Sequence, residues 1–110
     1  MGLQADKILG LNIGGTRCSA VIGDAGGDIE ERVEWPSGSH RGSDVMLDDL
    51  LTRATGMLHR HKGVVACGVA IGGPLDSYKG IVKGPPNLPG WDDVPLREIV
   101  ELKLAVPTID

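Results

Sequence analysis

The chain has 110 residues, 41% hydrophobic and 24% charged, with a formal net charge of −4, enough for one domain with a modest core and too few for two. The acidic balance and the lack of a Lys/Arg run argue against nucleic acid as a partner. No apolar stretch reaches the length of a membrane span, MGLQADK lacks the apolar segment of a signal peptide, and Asp6 stands where a myristoylation signal needs Ser or Thr, so a cytoplasmic setting with no membrane partner is expected. Cys18 and Cys67 lie far apart within apolar runs and read as buried free thiols, while 17 glycines and no Phe point to tight turns around an aliphatic core.

Met1 to Asp6 reads as a lead-in. Ile8 to Ile13 is an apolar run with one polar interruption, Asn12, and reads as a central strand. Gly14-Gly15-Thr16 then breaks the run, and Arg17 to Gly23 forms a second strand, giving a hairpin whose tip is mostly bare backbone. Glycine lets backbone N–H groups approach an anion, Thr16 adds a hydroxyl and Arg17 a positive charge. These residues suit a phosphate-holding turn, and an ordinary glycine hairpin is the competing reading. A Walker loop is excluded by the lack of Gly-Lys-Ser/Thr, and a dinucleotide fingerprint by the glycine spacing and by the strand that follows.

Asp24 to Gly27 signals a turn, and Asp28 to Trp35 reads as a third strand with Ile29, Val33 and Trp35 partly buried. Pro36 to Gly42 is expected to be a polar loop. Ser43 can cap a helix, with Asp44 in its first turn and Leu47, Leu50, Leu51, Ala54 and Leu58 on the buried face. His59, Arg60, His61 and Lys62 suit the negative end of that helix, and Gly63 stops it. His59 and His61 stand two apart and cannot chelate one ion from a helix.

Val64 to Ile71 is an uninterrupted apolar run, expected to be a strand covered on both faces and parallel to the first. Gly72-Gly73-Pro74 ends it, at the same sheet edge as the Gly14-Gly15 turn, where ligands of such sheets bind. Leu75 to Lys83 suggests a hairpin turning at Tyr78-Lys79-Gly80. Gly84 to Asp93 reads as an irregular loop, in which Asn87 and Trp91 would suit a carbohydrate unless Trp91 packs into the core. Asp92 or Asp93 can cap a second helix, with Pro95 in its first turn and Leu96, Ile99, Val100 and Leu104 buried, and Val106 to Asp110 begins a last strand.

LGLNIGGTRCSAVIGD resembles the first phosphate motif of the superfamily of sugar kinases, actin and heat-shock chaperones. VACGVAIGGPLDSYKGIVKGPPNLPGWDDVPLREIVELKLAVPTID is similar to the middle of the ROK family, which comprises bacterial sugar kinases and related sugar-responsive repressors. The resemblance runs from Lys7 to Asp110, and GGPLD followed by NLPGWDDVPL carries most of it.

The resemblance implies an α/β, ribonuclease-H-like mixed sheet in β-β-β-α-β-α-β order with the helices packed on it, residues 1–110 forming the N-terminal lobe of a sugar kinase. It implies ATP and Mg²⁺ as cofactors and a small-molecule sugar as partner. Gly14, Gly15, Thr16 and Arg17 would face the ATP phosphates, and Gly72, Gly73, Pro74 and Asn87 the sugar. Asn12 replaces the family's usual Asp, so Mg²⁺ would be held weakly there. The family's catalytic Asp falls just after Asp110, and His40, His59, His61, Cys18 and Cys67 do not reproduce its zinc motif. The lobe alone is expected to be inactive and to self-associate through apolar surface on its last helix and strand. A non-catalytic sugar-binding or regulatory module, and a degenerate structural domain, are the alternatives. Only Met1 to Asp6 precede the fold, which counts against a repressor's DNA-binding segment.

Overall fold

Strand β1 (Lys7–Ile13) alternates, burying Leu9, Leu11 and Ile13 on one face while Asn12 is exposed on the other, so a single strand orients both faces of the sheet. The structure, a computed structural model, describes residues 6–71, 75–76, 81–83 and 90–109. β2 (Arg17–Asp24) pairs antiparallel with β1 from Lys7↔Asp24 to Ile13↔Cys18. β3 (Ile29–Pro36) pairs antiparallel with β2, completing the meander. Helix α1 (Ser43–Arg60) then returns the chain to β4 (Val64–Ile71), parallel to β1 and ending with Ile71 beside Ile13. Helix α2 (Leu96–Leu104) leads to β8 (Thr108–Ile109), parallel to β4, and the five strands lie in the order β3-β2-β1-β4-β8. This is the ribonuclease-H-like mixed sheet, with β1 central as expected.

Both helices serve one core. α1 contributes Met46, Leu47, Leu50, Leu51, Ala54 and Met57 at helical spacing, and α2 contributes Leu96, Val100 and Leu104. They meet Leu9, Leu11, Ile13, Cys18, Ala20, Ile22, Cys67 and Val69 from the sheet. Both cysteines are buried free thiols, and burial pushes the Cys67 thiol up to about 12.

The other face of the sheet is open among the described residues. Gly10 and Gly68 stand side by side in the β1–β4 ladder and floor a hollow of about 380 Å³ bordered by Asn12, Ser19, Ala70 and Ile109. The apolar run of β4 predicts cover on both faces, but only Cys67 and Val69 are buried and Ala70 is exposed. The reason is side-chain size: Ala66, Gly68 and Ala70 offer too little apolar surface to require a second layer. Leu102 and Ile109 are 77% and 73% exposed, in keeping with the apolar surface expected on the last helix and strand.

Local details differ from the sequence expectations. α1 is preceded by Gly42 at φ 87, not capped by Ser43, and has no side-chain cap. Pro95 occupies the N-cap of α2, because Asp92 and Asp93 lie in a strand. That strand, β7 (Asp92–Val94), joins β5 (Leu75–Asp76) and β6 (Ile81–Lys83) in a separate antiparallel sheet of order β5-β6-β7. Leu75–Asp76 and Ile81–Lys83 therefore pair as the expected hairpin does, and the turn expected at Tyr78-Lys79-Gly80 lies outside the described residues. Ile29, expected to be partly buried, is 61% exposed, while Trp35 is buried.

Candidate functional site

β1, β4 and the β1–β2 turn converge at one edge of the sheet. Gly14 N–H donates to the Arg17 carbonyl at 3.1 Å and closes the turn. A Cβ on Gly14 would lie 2.6 Å from that same carbonyl oxygen, so no other residue fits without moving backbone. Gly15 is half-buried, and Thr16 and Arg17 are exposed. Arg17 forms no ion pair with a described residue, and the backbone N–H groups of Gly15 and Thr16 donate to none. A fixed turn whose N–H groups and guanidinium have no partner among the described residues, with a hydroxyl beside them, has the chemistry of an anion site.

The turn is held from behind by a residue that the sequence placed in a polar loop. Ser37 is 1% exposed, its Oγ donates to the Gly14 carbonyl at 2.6 Å, and its N–H donates to the Thr16 carbonyl at 2.9 Å. Because the hydroxyl proton is committed to Gly14, the Cys18 thiol, 3.4 Å away, donates to Ser37 Oγ. Arg41 Nη2 donates to the Ser37 carbonyl at 2.8 Å, and Arg41 Nε to the Gly38 carbonyl at 3.2 Å. Gly38 adopts φ 59, which carries the chain into a 3₁₀ turn over Ser39–Arg41 and brings Arg41 back over Ser37. Asp49 on α1 then pairs with Arg41 at 3.5 Å and with Arg53 at 3.0 Å, and the Arg53 guanidinium lies 4.6 Å over the Trp35 ring.

Asn12 lies exposed on the open face next to the turn, opposite Ser19 and Ala70 in the two ladders. Its amide oxygen offers one neutral donor to a hard cation. Gly72, Gly73, Pro74, Asn87 and Asp110 lie outside the described residues. Their flanks are informative: β4 delivers Ile71 to the same edge as Ile13. Gly90 packs against Gly42, its notional Cβ only 3.4 Å from the Gly42 Cα. Trp91 is fully buried and its Nε1 donates to Met46 Sδ at 3.4 Å, so it anchors the segment in the core and presents no face for a sugar to stack on.

The opposite edge carries ionised groups instead. Glu31 accepts from Arg60 at 2.9 and 3.2 Å and lies 2.7 Å from His61 Nε2. These contacts, Arg60 first and His61 second, hold the Glu31 carboxyl below its usual range. His61 Nδ1 and Lys7 Nζ approach Glu30 at 3.5 and 3.2 Å. His61 is thus a carboxylate partner, and among the described residues no group of three or more acidic, His or Cys side chains is placed to hold a metal ion. No described helix is long and apolar enough to cross a membrane.

The ROK family profile matches residues 8–109. A glucokinase from Streptomyces coelicolor is 27% identical over 101 residues, covering 92% of this chain and 31% of the relative. A ROK hexokinase from Thermus thermophilus superposes with a TM-score of 0.79 at 32% identity, over 94% of this chain and 34% of that one. A ROK family glucokinase from Streptomyces griseus, solved with glucose and AMPPNP, gives 0.82 at 25% identity over 94% and 32%. A ROK family transcriptional regulator, a homologue of the E. coli MLC protein, gives 0.83 at 15% identity over 96% and 27%, a likeness of fold. The chain spans about a third of the length of the curated glucokinase relative.

Proposed function

The chain belongs to the ROK family, and from that premise we propose that it is the N-terminal, phosphate- and sugar-facing lobe of an ATP-dependent hexose or N-acetylhexosamine kinase. The observation that carries this reading is the Gly14–Arg17 turn: no Cβ fits at Gly14, and N–H groups and a guanidinium are left without described partners. The glucose and AMPPNP bound by the Streptomyces griseus relative support a nucleotide and a sugar as its ligands.

In this reading Gly15 and Thr16 donate to ATP phosphate oxygens, and Arg17 contributes charge. The Asn12 amide oxygen, or a water held by it, would hold Mg²⁺, which would supply charge neutralisation for the phosphates. Gly72, Gly73, Pro74 and Asn87, outside the described residues, are assigned to the sugar by the family resemblance. The lobe supplies positioning and charge stabilisation, the terms that dominate phosphoryl transfer. A cytoplasmic setting and self-association through the apolar surface of the last helix and strand, where Leu102 and Ile109 are exposed, complete the proposal.

Titrating the ¹⁵N-labelled chain with MgATP and, separately, with inorganic tripolyphosphate tests the reading. Amide shifts centred on Gly14 to Arg17 are expected, with Arg17→Ala weakening binding about tenfold, the equivalent of one charge-assisted contact. A turn whose amides ignore both ligands would leave the ordinary glycine hairpin standing. The regulatory reading is favoured by one observation, Asn12 in place of the family's usual Asp. Phosphate binding that is indifferent to Mg²⁺ in the native chain and becomes Mg²⁺-dependent in Asn12→Asp would support it.

A further inference from the structure

The carbonyl groups of a phosphate-binding turn matter as much as its N–H groups, because a carbonyl oxygen aimed at an anion repels it. In this turn two carbonyls are turned away. Gly14 C=O points at Ser37 Oγ and Thr16 C=O at Ser37 N–H, at 2.6 and 2.9 Å. No cis peptide bond occurs among the described residues, so in the Gly14–Gly15 peptide the N–H points opposite to the carbonyl, away from Ser37. One buried serine therefore sets the direction in which the turn presents its donor.

We propose that Ser37 is the positioning residue of the phosphate turn, its hydroxyl and N–H together withdrawing the Gly14 and Thr16 carbonyls so that Gly15 N–H faces the ATP phosphate. The inference rests on the phosphate reading given above and assigns that reading a residue outside the glycine motif. Three features separate Ser37 from a merely buried polar side chain. Its contacts are to the backbone of the turn, 23 residues away in sequence for Gly14. Its own carbonyl is fixed by Arg41 Nη2 at 2.8 Å, and Arg41 is tied to α1 through Asp49. The Cys18 thiol donates to its hydroxyl, filling an acceptor site and leaving the proton for Gly14. Ser37 does not touch the ligand and acts through the peptide planes it orients.

The test compares the native chain with Ser37→Ala, Ser37→Thr and Leu104→Ala, the last a core truncation in α2 remote from the turn. Tripolyphosphate affinity is read by amide titration, turn order by hydrogen exchange without ligand, and fold integrity by thermal melting. Ser37→Ala is expected to weaken tripolyphosphate about tenfold and to speed exchange by a similar factor at the Gly14 amide, whose bond to the Arg17 carbonyl closes the turn, the loss of about one hydrogen bond. Ser37→Thr, which keeps the hydroxyl, is expected to recover both. Leu104→Ala is expected to melt earlier than the native chain yet bind as well, which separates positioning from general stability. Native-like affinity and exchange in Ser37→Ala would overturn the role of Ser37 alone. A folded Ser37→Thr that stays as weak as Ser37→Ala would do the same. A native chain that ignores tripolyphosphate would overturn the phosphate reading itself, a result distinct from either.

Discussion

The two edges of the sheet are secured by different physics. Where β1 and β4 end, hydrogen bonds from Ser37 and Arg41 to backbone carbonyls hold the β1–β2 turn, and Trp91 fills the adjoining core. Where α1 ends and β4 begins, Lys7 pairs with Glu30 and Arg60 with Glu31 at the surface, and His61 lies between the two carboxylates. The first arrangement fixes peptide planes and leaves Arg17 unpaired among the described residues; the second consumes its charges internally and is open to salt and acid. An anion site needs the first kind. A charge engaged by a neighbour is a charge withheld from the ligand, and a turn held by titrating groups would change shape with pH.

The largest expected effect comes from removing the packing at the first edge. Trp91→Ala deletes a fully buried ring and its donation to Met46, at a cost of about 3–5 kcal/mol. That is a large share of the roughly 5–15 kcal/mol by which domains of this size are stable. Urea denaturation is expected to show a much lower midpoint, and an unchanged midpoint would mean that Trp91 does not anchor this edge.

Gly14→Ala breaks the same edge at its backbone. The new methyl would meet the Arg17 carbonyl oxygen at 2.6 Å, and neither atom is the tip of a flexible side chain. Overpacking of this kind costs about 1–3 kcal/mol, and the shifted Gly14 carbonyl would leave the reach of Ser37. Denaturation and tripolyphosphate titration should both register the change. A variant that loses stability but keeps native affinity would show that the turn's geometry does not set binding.

Legibility from sequence followed the range of the interactions. β1, β2, β4 and the buried stripe of α1 were readable because strand alternation and helical periodicity are local patterns. The Gly14-Gly15-Thr16 turn was readable for the same reason, its glycines being contiguous. Ser37 was not, since its partners Gly14 and Thr16 are more than 20 residues earlier and a serine after a proline reads as loop. The pairing of Asp92–Val94 with Ile81–Lys83 is not legible because it is non-local and the sequence between the two strands is rich in proline and glycine. The open outer face was misjudged because Ala and Gly count as apolar in a run while presenting almost no side chain to cover.

The second edge should yield the smallest effect, and its sign is fixed. Glu31 has a folded pKa below its ordinary value of 4.5, chiefly through Arg60 and then through His61. Its contribution is therefore full above the unfolded value and fades as pH falls through the lower folded one. Arg60→Ala should lower the melting temperature by about 1–4 °C at pH 7, with the gap to the native chain closing as the pH drops below 4.5 and narrowing in molar salt. Tripolyphosphate affinity at pH 7 should be unaffected, because the Gly14 and Thr16 carbonyls are held by the Ser37 hydroxyl and N–H at the other edge. A loss of affinity in Arg60→Ala equal to that in Ser37→Ala would mean that the two edges are coupled through α1. The separation of turn positioning at one edge from surface ion pairing at the other would then be wrong.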